Sequence, residues 1–219
     1  MEQCERQGQD RVEILEPQGQ DRVEILGRTQ APDQVEVLQK RIEELERANA
    51  ELARISHTDG LTGLPNQRAF RAALAREIKR SQRSGASLVL TLFDVDDFKA
   101  INDSHGHAVG DAILSLVAAQ MKGSMREGDV LARYGGEEFA LLAPDTNLAG
   151  GLALAEKVRL AVSLKTCSVI GLEGPQWVRV TLSAGVALYR GDDCALFNDA
   201  DRALYEAKNS GKDCVVASF

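Results

Sequence analysis

Apolar residues recur at alternating intervals of three and four from residue 34 onwards, and this pattern predicts one long helix. The positions on its apolar seam are Val35, Leu38, Ile42, Leu45, Asn49 and Leu52. Such a seam is typical of a parallel coiled coil, and one polar residue at an a position is the kind that specifies two strands and fixes register. We therefore predict a dimerisation helix over residues 34–57. The alternative is a helix that packs on its own domain.

The segment before this helix, residues 1–33, contains a repeat. An identical eight-residue block begins at Gly8 and again at Gly19, and a looser copy spans Asp33–Leu38. Proline and glycine residues, which interrupt helices, separate the copies. We interpret the segment as a duplicated, mobile tail, and a docking segment is the alternative.

Residues 58–219 are predicted to form a globular α+β domain, with the turn-rich stretch His57–Asn66 as the linker into it. The expected elements are a helix around residues 70–78, a strand 88–93, a polar connection 103–110, a helix 113–121, a hairpin 129–143, a helix 148–162, a strand 178–188, a helix around 203–207 and a strand 214–217. This order is typical of a ferredoxin-like, palm-type sandwich, in which helices flank a central, mostly antiparallel sheet.

The predicted hairpin turns at Gly135 and Gly136, which would supply the positive φ angles of a tight turn. Right-handed crossovers make the strand 88–93 parallel to the first hairpin strand, with the returning hairpin strand between them. The turn then lies at the end of the sheet where the strand 88–93 ends. Asp94 and Glu137 should therefore meet, although they are distant in sequence.

Both strand ends carry acidic residues. Glu137 and Glu138 follow the glycines, and the cluster Asp94–Asp97 follows the apolar strand. Adjacent carboxylates repel each other, so they contribute nothing to folding by themselves. Hard divalent cations prefer oxygen ligands of this kind and would remove the repulsion. The pattern therefore predicts a metal site, and a solvated turn is the alternative.

Composition and charge indicate which kinds of binding partner are unexpected. The 219 residues carry a net charge of −7, with 44% hydrophobic and 27% charged residues, as expected of an ordinary soluble protein. The negative charge argues against a broad surface for nucleic acid or anionic membrane. No apolar run approaches the roughly 20 residues of a membrane helix, and the N-terminus lacks a signal pattern. We expect a cytoplasmic protein without a nucleic-acid or membrane partner.

Five segments of the chain resemble, in order, the motifs of the GGDEF-domain diguanylate cyclases. They are Asp59–Asn66, Phe93–Asp103, Gly106–Asp111, Gly135–Phe139 and Ala200–Gly211, of which the fourth is the GGEEF form of the family signature. The resemblance covers residues 58–219. It implies that two GTP molecules condense to cyclic di-GMP with release of two pyrophosphates.

The resemblance also implies a set of metal ligands. Asp94, the backbone carbonyl of Val95 and Glu137 would hold Mg²⁺, and Glu138 would complete a site for two ions, with Mn²⁺ as the alternative ion. Asp94, Lys99, Glu137 and Glu138 are the implied catalytic residues. Two hard cations can activate the 3′-hydroxyl of one GTP and neutralise charge on the α-phosphate that it attacks.

Asn102 and Asp111 match the guanine-reading positions of the family. A carboxylate can accept the guanine N1–H and N2–H pair and would repel the acceptor edge of adenine. The alternative role for Asp111 is that of a helix N-cap.

Four residues match the phosphate-binding positions of the family: Phe98, Lys99, Lys208 and Lys212. Lys208 and Lys212 would reach the β- and γ-phosphates. The family commonly has Arg at position 212 and Asn at position 213, where this chain has Lys212 and Asp213. Lysine lacks the bidentate fork of arginine, so we expect weaker affinity for the triphosphate.

One domain would hold one GTP, so the reaction requires two domains that face each other, and this requirement supports a homodimer through residues 34–57. Arg126 and Asp129 match the inhibitory RxxD motif of the family, and we expect feedback inhibition by cyclic di-GMP. A local surface ion pair is the alternative for these two residues. Two rival functions stay open: a non-catalytic cyclic di-GMP receptor, and an oligomerisation module with an inert globular part.

Overall fold

The computed structural model describes residues 31–55, 57–171 and 174–218. The chain divides into two compact units, Met1–Arg54 and Ile55–Phe219. The predicted repeat-bearing tail lies, up to residue 30, outside the described residues.

The first unit contributes a single described helix, α1, over Ala31–Ile55. Four seam residues are more than half exposed: Val35, Leu38, Ile42 and Leu45. The side chains of Asn49 and Leu52 lie outside the described residues. Charged side chains on α1 pair along the helix, with Lys40 bonded to Glu36 and Arg41 bonded to Glu44. The helix thus carries an exposed apolar stripe between charged surfaces, as expected of an amphipathic helix.

The second unit is an α+β sandwich, as predicted. Its elements are α2 (Gln67–Ser84), β1 (Leu88–Val95), α3 (Phe98–His105), α4 (His107–Lys122), β2 (Val130–Arg133), β3 (Glu138–Pro144), α5 (Leu148–Ser163), β4 (Thr166–Gly171), β5 (Gly174–Arg179), β6 (Leu182–Leu188), α6 (Asp193–Asn209) and β7 (Val215–Ala217).

The main sheet has five strands in the order β2-β3-β1-β6-β7. β3 pairs antiparallel with both β1 and β2, so β1 and β2 run in the same direction with the returning hairpin strand between them. This is the predicted topology. β6 pairs antiparallel with the other side of β1, and the short β7 joins β6 in parallel. β1 therefore lies at the centre of the sheet.

Helices cover both faces of the sheet, and β1 shows how its residues divide between them. Val89 and Phe93 belong to one apolar core with residues of α4 and α5. Leu88 and Leu90 belong to a second core with residues of α2 and α6. Successive side chains of a strand point to opposite faces. A central strand covered on both faces is therefore expected to be mostly apolar, and β1 is buried along its whole length with Thr91 and Asp94 as its polar residues.

Three element predictions were wrong. The polar connection 103–110 is instead the end of α3 and the start of α4, separated only by Gly106, whose φ of 84° breaks the helix. The predicted strand 178–188 is two strands, because β5 leaves the main sheet and pairs with β4, which was not predicted. The apolar alternation continues through Val178, Val180 and Leu182, so the pattern does not reveal the change of partner.

None of the helices in the described part of the chain is both long enough and apolar enough to span a bilayer.

α6 packs unusually close to the sheet at Gly185 of β6. A Cβ atom at Gly185 would lie 2.1 Å from the carbonyl oxygen of Ala200 and 2.2 Å from the amide nitrogen of Leu204. Both atoms belong to the backbone of α6, so no side-chain rotation can relieve the contact. The absence of a side chain at Gly185 thus sets the distance between α6 and the sheet.

We expect Gly185→Ala to lower the free energy of unfolding by about 3 kcal/mol, because α6 must move away from β6. Gly123→Ala is the matched control, because its Cβ would meet only ordinary contacts at 3.6 Å. The control should change stability by less than about 1 kcal/mol. Urea unfolding of both variants provides the measurement, and equal stability of the two variants would contradict the argument.

Candidate active site at the hairpin end of the sheet

The end of β1 and the start of β3 place acidic residues from remote segments side by side. In the register of the two strands, Asp94 lies opposite Glu138. The backbone N–H of Val95 donates to the carbonyl oxygen of Glu137 at 3.3 Å. The topology therefore brings Asp94 to the tip that carries Glu137, as the sequence pattern predicts.

Asp94 is buried, with 7% of its surface exposed, and its electrostatic surroundings are unfavourable to a negative charge. Burial raises the pKa of Asp94, the hydrogen bond and charge of Lys208 lower it, and the charges of Glu137 and Glu138 raise it again. The net pKa lies above the ordinary value for an aspartate. Lys208 Nζ lies 2.8 Å from Asp94 Oδ2. The site thus contains more negative charge than this ammonium group neutralises.

The turn between β2 and β3 does not have the predicted geometry. Neither Gly135 nor Gly136 has a positive φ angle, so glycine is not required there for backbone conformation. Gly135 instead leaves room for a catalytic candidate, since a Cβ on it would lie 2.4 Å from Glu138 Oε2. The Arg133 side chain holds the turn by donating to the carbonyl oxygen of Gly136 from Nε at 3.0 Å and from Nη2 at 2.8 Å.

The predicted linker His57–Asn66 is a packed part of the domain. Leu64 is buried, and the Asn66 side chain caps α2 by accepting from the backbone N–H of Ala69 at 3.0 Å. Asp59 accepts from the Thr62 backbone N–H at 2.8 Å and from its hydroxyl at 2.7 Å. Turn residues bond their own backbone in this way whether they lie in a free linker or in a packed turn, so composition did not distinguish the two.

Arg133 joins this turn to the hairpin, and sequence reasoning missed it. Its Nη1 lies 3.2 Å from Asp59 Oδ1, and both side chains are mostly buried. Its backbone N–H donates to the carbonyl oxygen of Pro65 at 3.0 Å. The same guanidinium therefore contacts the start of the domain and the tip that carries Glu137. Only its position shortly before the two glycines of the hairpin could have drawn attention to it.

A second group of predicted residues lies on α3 and α4. Asn102 Oδ1 is buried and has no hydrogen-bond partner. It lies against Gly110, where a Cβ would be 2.0 Å from Asn102 Oδ1 and 3.1 Å from Phe98 Cζ. Asp111 and Lys99 are exposed. Because α4 begins at His107, Asp111 lies inside the helix, and its alternative role as an N-cap was wrong.

Two lysines lie against the acidic end of the sheet. Lys208 of α6 pairs with Asp94, as described above. Lys212 Nζ lies 2.6 Å from Asp97 Oδ1, and Asp97 is the N-cap residue of α3, with a φ of 54°. The structure therefore gathers Asp94, Glu137, Glu138 and Lys208 at one end of the sheet, with Lys212 beside them.

Arg126 and Asp129 lie elsewhere. Arg126 Nε pairs with Asp129 Oδ1 at 2.9 Å, and its Nη2 donates to the Thr146 hydroxyl at 2.6 Å and to the Pro144 carbonyl. Pro144 ends β3, whereas Glu138 begins it, so the pair lies at the opposite end of that strand. A cleft of about 450 Å³ opens here, lined by both residues and by Lys157.

A family model described as "Diguanylate cyclase, GGDEF domain" matches residues 56–214. The chain belongs to this family. The signature of the GGDEF domain is the hairpin tip described above, with its GGEEF sequence at positions 135–139.

Two similar proteins of known name are diguanylate cyclases. The chain is 40% identical over 158 residues to diguanylate cyclase DgcP of Pseudomonas aeruginosa, covering 71% of this chain and 23% of DgcP. It is 40% identical over 182 residues to diguanylate cyclase DgcM of Escherichia coli, covering 82% of this chain and 41% of DgcM. The chain thus spans less than half the length of these relatives.

A solved structure shares the fold. It contains the coiled coil and GGDEF domain of DgcB from Caulobacter crescentus in complex with c-di-GMP, and it superposes with a TM-score of 0.71 at 28% identity. The match covers 85% of this chain and 98% of that chain. The α+β sandwich with a preceding helix is therefore the architecture of a GGDEF protein.

The pairing of Asp59 with Arg133 yields a prediction about pH. Burial raises the pKa of the Asp59 carboxyl, but hydrogen bonds from Thr62 and Arg133 outweigh burial, and the pKa lies below its ordinary value of 3.8. A carboxyl whose folded pKa is lowered stabilises the fold above its unfolded pKa and loses that contribution as the pH falls through the folded pKa.

Asp59→Asn should therefore lower the free energy of unfolding by about 2 kcal/mol at pH 7, because the charge-assisted bonds are lost. The deficit relative to wild type should begin to shrink as the pH falls below about 3.8, where the unfolded carboxyl takes up a proton while the folded one stays ionised, and should be lost below the lowered folded pKa. Urea unfolding at pH 7 and pH 3 measures both values. Asp199→Asn, which removes a more exposed pair with Arg202, should cost less than about 1 kcal/mol. A deficit that stays constant with pH would contradict this account.

Proposed function

We propose that this GGDEF domain condenses two GTP molecules into cyclic di-GMP and two pyrophosphates, and that it acts as a dimer. The observation that carries the proposal is the gathering of Asp94, Glu137 and Glu138 around one end of the sheet, where burial and mutual repulsion raise the pKa of Asp94. A fold accepts such a cost at a site that receives a cation or acts in catalysis.

The residues at this end fit a divalent cation shared with substrate. Within the described residues, no group of three or more His, Cys, Asp or Glu side chains could hold a metal ion alone. Mg²⁺ is usually bound by one or two carboxylates together with substrate phosphates, so a complete protein cage is not required. Asp94, the Val95 carbonyl and Glu137 would supply the protein ligands, with Glu138 serving a second Mg²⁺; Mn²⁺ is the alternative ion.

The bound ions would favour ionisation of the attacking 3′-hydroxyl and neutralise charge on the α-phosphate. In each condensation the 3′-oxygen of one GTP bonds to the α-phosphorus of the other, the hydroxyl proton is lost, and the bond to pyrophosphate breaks. Two reciprocal condensations close the ring. Each nucleotide is held by its own domain, so the chemistry needs two domains face to face.

Lysines of this chain would hold the triphosphate. Lys208 forms an ion pair with Asp94, and Lys212 forms an ion pair with the nearby Asp97. Exposed Lys99, at the start of α3, would complete the set together with Phe98. When a metal ion neutralises Asp94, the Lys208 ammonium group becomes available to a phosphate oxygen, because its present partner no longer requires it.

Asn102 supports guanine as the base. Its Oδ1 is buried and has no partner, and such an acceptor is costly to leave unpaired. An N–H group on the edge of guanine would satisfy it. The exposed carboxylate of Asp111, one residue beyond Gly110, would accept the remaining guanine N–H groups and repel the N1 acceptor of adenine.

Incubation of the chain with GTP and Mg²⁺ tests the proposed function. We expect cyclic di-GMP and pyrophosphate to form, and ATP to give no cyclic product. Glu137→Gln and Asp94→Asn should each reduce kcat by about 100-fold or more, because each removes a charged metal ligand. Asn102→Ala should raise the KM for GTP.

Glu77→Gln is the control, because Glu77 pairs with Arg80 on α2 and takes no part in the proposed site. It should keep wild-type turnover. A folded wild-type chain that binds cyclic di-GMP but turns over no GTP would reject the enzyme and favour the rival receptor function.

The exposed seam of α1 supports the homodimer through residues 34–57. Four apolar side chains more than half exposed to water on one helix favour association with a second copy. Three heptads form a weak coil by themselves, so assembly should depend on concentration.

Leu38→Glu together with Leu45→Glu should therefore prevent dimerisation, so that specific activity no longer rises with protein concentration and stays low, while the globular domain remains folded. Specific activity measured against protein concentration, with sedimentation of the same samples, checks this. The matched control is Glu36→Gln with Glu43→Gln, since both residues lie at b positions of the heptad, away from the seam. Full specific activity of the double leucine variant at low concentration would reject dimerisation through α1.

Arg126 and Asp129 support inhibition by product. They line the cleft at the far end of β3, and Arg126 offers a guanidinium to a phosphate or guanine. The separation from Glu138 would let product bind without occupying the substrate site.

Added cyclic di-GMP should inhibit wild type and leave Arg126→Ala active; equal inhibition of both would reject this role.

A further inference from the structure

The segment between α6 and β7 has an unusual backbone. Three consecutive residues, Gly211, Lys212 and Asp213, have positive φ angles of 109°, 62° and 47°. Residues other than glycine rarely adopt this conformation, and they keep it only where surrounding contacts hold them. The contacts that hold Lys212 and Asp213 therefore decide where the Lys212 side chain is placed.

The inner contact is made by Asp96, which is buried with 6% of its surface exposed. Its Oδ2 accepts from the backbone N–H of Asp213 at 3.0 Å and from the Thr181 hydroxyl at 2.7 Å, and its Oδ1 accepts from the Ser183 hydroxyl at 2.6 Å. Asp96 thus ties the Asp213 backbone to β6 and to the loop that precedes it.

The outer contact is made by Arg159 of α5, whose side chain is 13% exposed. Its Nε and Nη2 donate to the two carboxylate oxygens of Glu156 at 2.8 Å and 2.6 Å, and its Nη1 donates to Asp213 Oδ1. The hydrogen bonds and charge of Arg159 lower the pKa of Glu156, so this pair stays ionised at neutral pH. One guanidinium therefore joins a helix outside the proposed site to the Asp213 side chain.

Lys212 lies between the anchored residue Asp213 and the acidic end of the sheet. Its backbone N–H donates to the carbonyl oxygen of Ala207 at 3.2 Å, and its Nζ lies 2.6 Å from Asp97 Oδ1. Asp97 lies two residues after the end of β1 at Val95. A change in the backbone at Asp213 would move Lys212 first, because the two residues are adjacent and share the left-handed conformation.

We infer that Arg159 is a positioning residue for the triphosphate: by holding Asp213, it fixes Lys212 where it can reach the β- and γ-phosphates. The inference rests on the proposed function, because it assumes GTP as the ligand. The simpler alternative is that Arg159 only stabilises the fold. The positioning role and the structural role predict different effects on ligands that carry β- and γ-phosphates and on ligands that lack them.

The test measures binding of α,β-methylene-GTP and of GMP to the full chain with Mg²⁺, by titration calorimetry. Arg159→Met should weaken the triphosphate analogue about 5- to 10-fold and change GMP affinity by less than about 2-fold. In the Lys212→Met background, Arg159→Met should cause no further weakening, because residues that act through each other are not additive. Steady-state turnover should show a raised KM for GTP with a smaller change in kcat.

Companion variants separate positioning from folding. Glu156 and Asp213 are partly exposed, so water can solvate them when Arg159 is replaced, and the variant should fold. Should Arg159→Met be unstable, Arg159→Lys keeps the charge and should give an intermediate loss. Asp213→Asn keeps an acceptor oxygen and tolerates the left-handed backbone, and should bind within about 2-fold of wild type. Arg202→Met, which removes an exposed pair on α6, is the control and should bind both ligands normally.

Each outcome is decisive. Lower melting temperature of the Arg159 variants with unchanged affinity for the analogue would overturn the inference and leave a structural role. The inference would also be overturned if Arg159→Met lowered the affinity for GMP and for the analogue equally. It would be overturned too if Arg159→Met lowered the affinity for the analogue as much in the Lys212→Met background as in wild type. Failure of wild type to bind the analogue would overturn the proposed function and this inference together, whereas normal wild-type binding with unaffected variants would overturn only the inference.

Discussion

The antiparallel pairing of β1 with β3 is the constraint on which the rest of this structure depends. Its register sets Asp94 opposite Glu138 and brings the Val95 N–H to the carbonyl oxygen of Glu137. A slip of one residue would turn Asp94 to the other face of the sheet and separate it from the tip. The two apolar cores oppose such a slip, because it would move the side chains of β1 that pack in one core into the other, where they do not match their neighbours.

This register concentrates negative charge, and the surrounding structure supplies positive charge from a single neighbouring stretch. Lys208 and Lys212 come from the end of α6 and the segment after it, and they pair with Asp94 and Asp97. α6 can deliver them because Gly185 allows its backbone to approach β6. The electrostatics of the site therefore depend on a packing distance as much as on the charged residues themselves.

Glycines near the site act mainly through the space that they leave. Gly110 leaves room for the buried amide of Asn102, and Gly135 leaves room for the carboxylate of Glu138. Turn chemistry alone predicted positive φ angles at the hairpin, and that was wrong, because the turn between Arg133 and Glu138 is wide and is held by the Arg133 side chain. Local sequence does not show which distant side chain will lie against a glycine.

The sequence by itself determined the α+β class, the order of most elements, the parallel relation of β1 and β2, and the meeting of Asp94 with Glu137, because apolar periodicity and the handedness of crossovers are local or general properties. Tertiary structure alone decided the division of β5 from β6, the packing of the turn before α2, and the pairing of Arg159 with Asp213. These features depend on which distant segments contact each other in the folded protein, and the pattern of apolar and polar residues along the chain does not specify those contacts.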